Sequence, residues 1–136
     1  MDALPAVIDW HERELLPVST ALVRDPRTSL VHDDFFALMR RAPAVRYDAL
    51  LVDIDHSTTH SLDPSHSDLY TVDGLSSLAQ HLNDGGVFAL WSDDPPLASF
   101  EESLSAVFAV VKSHVVSFDN FLTGGVSTNT VYVARL

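Results

Sequence analysis

The 136-residue sequence contains no cysteine, one lysine and five glycines, and each of these shortages excludes a class of protein or site. Without cysteine there are no disulfides and no thiolate metal sites, which is typical of a cytoplasmic protein and predicts that location. No apolar run approaches the ~20 residues needed to cross a bilayer, and the N-terminal residues lack the basic segment of a secretory signal. We therefore expect no membrane partner.

The charge of the chain is strongly acidic. Nineteen acidic side chains oppose eight basic ones, which gives a formal net charge of −11 at pH 7. Nucleic-acid binding depends on clustered Lys and Arg, so we expect no nucleic-acid partner. A field of this sign attracts cationic ligands, although solubility alone is a sufficient reason for it.

The apolar content, 46% of the residues, is that of a globular protein, and we expect one domain over residues 1–136. Periodicity predicts alternating helices and strands. The predicted helices cover 4–16, 35–41, 72–82 and 97–112, and the predicted strands cover 29–32, 48–55, 87–91, 115–118 and 130–134. The composition of the segment 83–86 predicts a turn. This order favours a three-layer, Rossmann-like α/β fold with a mostly parallel sheet, in which the last two strands form an antiparallel pair at the edge.

Acidic residues follow three of the predicted strands. The run 49–52 is continuously apolar, as in a central parallel strand covered on both faces, and it ends at Asp53 and Asp55. Ligands of such sheets bind beyond the carboxyl ends of the strands. We therefore expect one crevice lined by three acidic segments, at 33–34, 53–55 and 93–94.

The chain resembles the polyamine (spermidine and spermine) synthases, within the S-adenosylmethionine-dependent methyltransferase-like fold. The resemblance covers essentially the whole chain and is carried by motifs in a fixed order. These are Asp2, Val7-Ile8, Leu16-Pro17, Asp25-Pro26-Arg27, Leu30-Val31-His32-Asp33-Asp34, Tyr47-Asp48-Ala49-Leu50-Leu51-Val52-Asp53, Leu69-Tyr70 and Asp84-Gly85-Gly86-Val87.

The resemblance implies a role for each acid. Asp2 matches the acid that grips the ribose hydroxyls of the co-substrate, which is S-adenosylmethionine or its decarboxylated form, and Asp33, with Asp34 beside it, matches the acid at the adenine end. Asp53 matches the residue that helps deprotonate the attacking amine. Chemistry supports this role, because a carboxylate binds an ammonium and can accept its proton. The expected contacts to a cationic amine substrate are Asp55, His56, Tyr70 and Trp91.

The substrate side departs from the family pattern. Where the family has Ser-Ser-Asp after the acid, this chain has Ile54-Asp55-His56, and the stretch 121–125 replaces a late tyrosine. Trp91 is compatible with stacking on a ligand or with packing at the rim. The histidine-rich loop 56–68 is compatible with a solvated loop or a lid, and its spacing predicts no metal site.

The glycine-rich loop of the family has no counterpart, since no glycine here follows a strand and opens a helix. We therefore expect an N-terminally truncated relative that lacks the first two strands and is inactive or very weak alone. The alternatives are a non-catalytic homologue that dimerises or binds a small ligand, and a methyltransferase. Loss of these strands leaves the strand at 48–55 with an open edge. A rearranged third strand, a second chain in a homodimer or a longer natural protein would each cover that edge.

Overall fold

A computed structural model describes residues 1–122 and 124–136, so position 123 of the 121–125 stretch lies outside it. The chain divides into two compact units, Met1–Leu38 and Met39–Leu136. Within the described residues, no helix has the length and hydropathy needed to cross a membrane.

The first unit is built on short helices, α1 (Pro5–Glu12) and α2 (Ser19–Arg24), and α3 (Phe35–Met39) follows them. A carboxylate oxygen of Asp2 accepts a 2.8 Å hydrogen bond from the Leu4 amide just before α1, where free N–H groups need acceptors. The prediction that this helix reaches residue 16 is wrong. Glu14 adopts a left-handed conformation with φ of 54°, which ends the helical path before Pro17.

The strand predicted at 29–32 does not form. Its one pairing in the first unit is an isolated parallel bridge between Asp2 and His32. The Asp2 amide donates to the Val31 carbonyl at 2.9 Å, and the Asp33 amide donates to the Asp2 carbonyl at 3.2 Å. A single bridge holds the two segments side by side, but a strand needs a longer ladder.

The second unit contains a four-stranded mixed sheet. Its strands are β1 (Tyr47–Val52), β2 (Leu82–Ser92), β3 (Val110–Asp119) and β4 (Val126–Arg135), and its helices are a 3₁₀ helix (Pro64–Tyr70), α4 (Val72–Ala79) and α5 (Ala98–Ser105). The strand order is β1-β2-β4-β3, with β1 parallel to β2 and the other pairs antiparallel. The predicted α/β class and the antiparallel edge pair are confirmed, but the sheet is mixed rather than mostly parallel, since one of its three strand pairs is parallel.

Capping residues explain where the helices of this unit begin. The Asp63 carboxylate accepts from the Ser65 amide at 2.8 Å, with Pro64 at the first position of the 3₁₀ helix. The hydroxyl of Thr71 accepts from the Gly74 amide at 3.1 Å and starts α4. Helix α5 ends at residue 105 rather than 112, because the chain enters β3 at Val110.

The segment 83–86, predicted as a turn, lies within β2 as a bulge. Tyr47 pairs with Leu82 and Ala49 pairs with Val87, so β2 has extra residues between these two pairs. Gly85 has a φ of 72°, which a residue without Cβ adopts at little cost. The bulge takes up the extra residues, so β2 continues from Leu82 through 83–86 to Ser92 as one strand.

The strand β1 lies at the edge of the sheet, and the prediction that it is covered on both faces is wrong. It pairs with β2 alone in the described residues, and the side chain of Leu51 is 79% exposed. The apolar run 49–52 has the composition of a strand buried on both faces, but in this chain part of it is exposed to solvent.

The two faces of the sheet differ in cover. The face that we call the covered face carries Phe88, Leu90, Tyr132 and Ala134, all at most 2% exposed. Helix α5 packs there, with the Phe100 ring 4.9 Å from that of Tyr132. The opposite face, which we call the open face, carries Leu51, Ala89, Trp91, Val131 and Val133, which are half-buried or exposed.

Candidate functional site

The candidate site lies where the parallel strands β1 and β2 end. The chain leaves β1 at Asp53 and leaves β2 at Asp93, so both loops begin at the same edge of the sheet. The Asp93 amide donates a 2.7 Å hydrogen bond to the His56 carbonyl and joins the two loops. Two of the three predicted acidic segments, 53–55 and 93–94, therefore meet. Asp33 and Asp34 belong to the first unit, and their place in a shared crevice stays a prediction.

Asp53 is the free acid of this edge. Its side chain is exposed, and no hydrogen bond or ion pair within the described residues engages its carboxylate. A carboxylate without an internal partner keeps all its acceptor positions for a ligand. This placement suits the predicted role in binding and deprotonating an amine.

Asp55 lies two residues further on and is buried. Its side chain is 1% exposed and accepts three hydrogen bonds, from the Leu62 amide at 2.7 Å, His66 Nδ1 at 2.8 Å and the Tyr70 hydroxyl at 2.7 Å. Buried charge is tolerated when donors satisfy it in this way. The carboxylate thus ties the loop after β1 to the 3₁₀ helix.

The hydrogen bonds set the titration of this cluster. Burial acts to raise the pKa of Asp55, but the bonds from Tyr70, His66 and Leu62 outweigh it and hold the pKa below its ordinary value. Burial raises the pKa of Tyr70 far above its ordinary value, and the Asp55 carboxylate adds to this shift. Asp55 is therefore ionised and Tyr70 neutral at physiological pH.

Asp94 anchors the loop after β2 to the histidine-rich loop. Its Oδ2 lies 3.2 Å from the Thr59 hydroxyl and 3.4 Å from His60 Nδ1. The hydroxyl of Ser57 lowers the pKa of Asp94 most, against the opposing effect of burial, and Thr59 and His60 lower it further. The backbone carbonyl of Asp94 accepts a 2.7 Å bond from the Thr130 hydroxyl.

Asp93 is held from two sides. His56 Nδ1 lies 3.5 Å from its Oδ2, and both side chains are more than half exposed. Asn129, on β4, donates from Nδ2 to Asp93 Oδ1 at 2.6 Å. The exposed His56 therefore lies beside Asp93 at this edge, and its role as a substrate contact stays a prediction. Among the described residues, no group of three or more His, Asp or Glu is arranged to hold a metal ion.

The acids predicted to bind the nucleoside lie together in the first unit. Asp2 and Asp33 are adjacent through the bridge described above. The Asp34 carboxylate accepts from the Ala37 amide at 3.0 Å and caps α3, and the Asp33 carboxylate accepts from the Asp34 amide at 2.8 Å. Each of these three carboxylates thus accepts one local hydrogen bond and keeps further acceptor capacity. Their roles toward a nucleoside stay a prediction.

Two of the predicted substrate residues, Tyr70 and Trp91, are buried or half-buried. Tyr70 is 8% exposed, and its ring packs edge-on against Phe100 at 5.9 Å, so it supports the loop from inside. Trp91 pairs with Val131 and lies on the open face. Sequence reasoning missed Ser57 and Asn129 at this site. The polar segment 57–60 is compatible with many loops, so it did not single out Ser57. Asn129 lies in a predicted sheet region far along the chain, and no local pattern linked it to Asp93.

The comparisons with known proteins support the fold. No family model and no curated protein matches the chain. The spermidine synthase of Thermotoga maritima superimposes with a TM-score of 0.68 at 19% identity, over 98% of this chain and 43% of that one. A spermidine synthase in complex with the transition state analogue AdoDATO gives 0.66 at 18% identity, over 98% and 42%.

The chain has the fold of the spermidine synthases. Human methyltransferase-like protein 13, in complex with SAH, shares it with a TM-score of 0.63 at 19% identity, over 99% of this chain and 60% of that one. The chain spans less than half the length of these synthases. Identities this low report the architecture, and the activity is a matter for proposal.

Proposed function

We propose that this chain is a transferase-type domain similar to the spermidine synthases, which binds an S-adenosylmethionine-type nucleoside and holds a cationic amine at the ends of β1 and β2. The observation that carries this proposal is the free, exposed carboxylate of Asp53 beside the bound acids Asp55, Asp93 and Asp94. Such an edge is strongly negative and accessible, which suits an ammonium ligand.

The reaction of the proposal is aminopropyl transfer. The amine nitrogen attacks the propyl carbon bonded to the sulfonium of decarboxylated S-adenosylmethionine, so an N–C bond forms and the C–S bond breaks. The leaving group is the neutral thioether methylthioadenosine. Asp53 binds the incoming ammonium and takes the proton that the nitrogen must lose.

The neighbouring residues have distinct parts in this proposal. His56 and Asp93 are exposed at the same edge and offer the far end of the amine polar contacts. The Asp55 carboxylate is already satisfied by three donors, so it acts by holding the loop that carries Asp53. Asp2 and Asp33 contact the ribose and adenine ends of the nucleoside.

A non-catalytic binding module is the second candidate. The glycines of the described residues lie in α4, in the β2 bulge and in the turn between β3 and β4, and none of them follows a strand and opens a helix. A glycine-rich loop between a strand and a helix brings backbone amides close to an anionic ligand or cofactor. Without it we expect weak nucleoside binding and no turnover by this chain alone.

Thermal-shift titration tests the proposal. The chain is titrated to millimolar concentrations with S-adenosylmethionine, its decarboxylated form and methylthioadenosine, each with and without putrescine as a model amine. Binding to the folded state raises Tm with ligand concentration. A preference for S-adenosylmethionine over the decarboxylated form favours methyl transfer. If none of the three nucleosides raises Tm, the proposed nucleoside site is wrong.

Two matched variants separate the amine from the nucleoside. Asp53→Asn removes the free carboxylate at the carboxyl end of β1, and Asp84→Asn removes an exposed one near the opposite end of β2. We expect Asp53→Asn to abolish the putrescine shift and to leave the nucleoside shift unchanged. Asp84→Asn keeps both shifts. Equal losses in the two variants would reduce the effect to net charge.

A further inference from the structure

Two histidines of the loop after β1 face two acids of the loop after β2. His56 Nδ1 lies 3.5 Å from Asp93 Oδ2, and His60 Nδ1 lies 3.4 Å from Asp94 Oδ2. All four side chains are at least 44% exposed, so protons from solvent reach both pairs. The same contact is therefore made twice, by consecutive acids and by histidines four residues apart.

Both acids are held to β4 by groups that carry no charge. Asn129 donates to Asp93 Oδ1 at 2.6 Å, and the Thr130 hydroxyl donates to the backbone carbonyl of Asp94 at 2.7 Å. Amides and hydroxyls of this kind do not titrate near neutral pH. The two acids therefore keep their places when the charge of a histidine changes.

The segment 57–60 forms a turn that is closed on itself. Ser57 and His60 each donate a backbone amide to the carbonyl of the other, at 3.4 and 3.3 Å. Among the described residues, the side-chain hydrogen bonds that leave this turn go to one carboxylate. The Thr59 hydroxyl donates to Asp94 Oδ2 at 3.2 Å, and the Ser57 hydroxyl and His60 also bond this group. A single acid thus holds the turn to the loop after β2.

The charge of the histidines decides how strong these contacts are. Histidine changes charge between pH 5 and 8, and its cation donates from both ring nitrogens. In a neutral ring Nδ1 is either a donor or a lone pair, and at His60 the hydroxyls of Ser57 and Thr59 lie within 3.2 Å and compete for it. Asp94 stays ionised in this range, because hydrogen bonds from Ser57 above all hold its pKa below the usual value. Protonation of the rings therefore strengthens both pairs.

The other charged and titratable groups of this loop lie at its root, beside the 3₁₀ helix. They are Asp55, Asp63, His66, Tyr70 and Arg40. The buried Asp55 carboxylate accepts from the Leu62 amide and the Tyr70 hydroxyl, neither of which titrates between pH 5 and 8. The root therefore stays attached, and a change in histidine charge acts on residues 56–60.

We propose that residues 56–60 form a pH-dependent latch, closed when its two histidines are protonated and paired with the acids after β2, and open when they are neutral. The latch joins the two loops at the edge that carries Asp53. It is closed most firmly at about pH 5–6 and opens as pH rises through the histidine range. Each exposed ion pair shifts this equilibrium by about two- to fivefold. The latch involves no ligand, so it does not depend on the amine and nucleoside chemistry proposed above.

A single spin label tests the latch, since the chain contains no cysteine of its own. Thr58→Cys places the label inside the turn, at a side chain that is partly exposed. Electron paramagnetic resonance measures the ratio of mobile to immobile label from about pH 5.5 to about pH 8, the range in which histidine titrates. We expect the ratio to rise about threefold or more with pH, while far-UV circular dichroism stays constant. A label at Ser61→Cys, next to the turn, shows the same trend.

Matched substitutions in the labelled chain identify the groups that titrate. His60→Gln keeps a hydrogen-bonding side chain that cannot become charged, and Asp94→Asn removes the charge of the acceptor. We expect a mobile label at both ends of the pH range in each variant, and a smaller rise in His56→Gln. His114→Gln removes an exposed histidine of β3 and leaves the rise unchanged.

Three results would overturn the latch. The first is a label whose mobility does not rise with pH in the parent chain. The second is a rise that persists undiminished in His60→Gln or Asp94→Asn, because another group then titrates. The third is a label that stays immobile at every pH in both variants, because contacts other than these pairs then hold the turn.

Discussion

The hydroxyl of Tyr70 donates a 2.7 Å hydrogen bond to Oδ2 of Asp55 in the interior of the second unit. This bond joins the end of the 3₁₀ helix to the loop that leaves β1, fifteen residues earlier in the chain. Because Asp53 begins the same loop, a bond made out of reach of solvent fixes the course of the chain around the exposed acid. The contribution of this hydrogen bond to the stability of the protein can be measured without any ligand.

Tyr70→Phe removes the hydroxyl and leaves the buried carboxylate with two donors instead of three. We expect a loss of about 1.5–3 kcal/mol in the free energy of unfolding, the range for hydrogen bonds to charged groups. Urea denaturation measures it. Tyr47→Phe is the control, because Tyr47 is 38% exposed, and its effect stays below about 0.5 kcal/mol. Equal effects of the two substitutions would contradict the role of the bond.

The same pair gives stability a pH dependence at both ends. The lowered pKa of Asp55 means that its contribution is present above the ordinary carboxyl range and is lost as pH falls through the folded-state value. The raised pKa of Tyr70 means that its contribution is complete below about pH 10 and declines above it. Unfolding at a series of pH values checks both limbs. Asp55→Asn flattens the acid limb, Tyr70→Phe flattens the alkaline limb, and unchanged limbs would contradict the assignment.

Gly74 is required by close packing at the start of α4. A Cβ at this position would lie 2.0 Å from the Asp68 carbonyl oxygen and 2.7 Å from the Leu69 Cα, both backbone atoms. We expect Gly74→Ala to lower the free energy of unfolding by about 3 kcal/mol or more. Gly124→Ala meets no atom within 4 Å and strains only its φ of 75°, which costs about 1–2 kcal/mol. Urea denaturation measures both losses. A larger loss for Gly124→Ala than for Gly74→Ala would contradict the role of close packing at Gly74.

Asn129 fixes the loop after β2. Its amide donates to Asp93 at 2.6 Å, while Asn83, near the start of β2, donates to Asp48 at 2.8 Å. The two pairs have the same chemistry and lie at different ends of the strand. We expect Asn129→Ala to weaken amine binding about tenfold by releasing the loop, and Asn83→Ala to leave it unchanged. Calorimetric titration with putrescine compares them, and equal affinities would show that this loop is not part of the site.

Local patterns in the sequence predicted much of the second unit. The predicted strands at 48–55, 87–91, 115–118 and 130–134 and the predicted helices at 72–82 and 97–112 each have a counterpart there, because apolar runs and helical periodicity act through neighbouring residues. The strand at 29–32 fails for a physical reason. A strand is defined by its neighbour, and this segment has a single bridge to Asp2.

The position of the candidate site was predictable from the sequence. Which of its acids is exposed and which is buried was not. Parallel strands bring their carboxyl ends together, which is why Asp53 and Asp93 could be placed at one edge. Burial depends on the path of the loop. The same residue type is therefore free at Asp53 and fully bonded at Asp55, and only the fold separates the two.

The central claim is that the ends of β1 and β2 bind a cationic amine. The most direct test is a two-dimensional ¹H–¹⁵N NMR titration of the labelled chain with putrescine in the presence of saturating methylthioadenosine. We predict saturable shifts of the amides at 53–56 and 93–94, absent in Asp53→Asn, with the amides of β3 unmoved. Shifts that avoid both strand ends, or that persist unchanged in Asp53→Asn, would contradict the account.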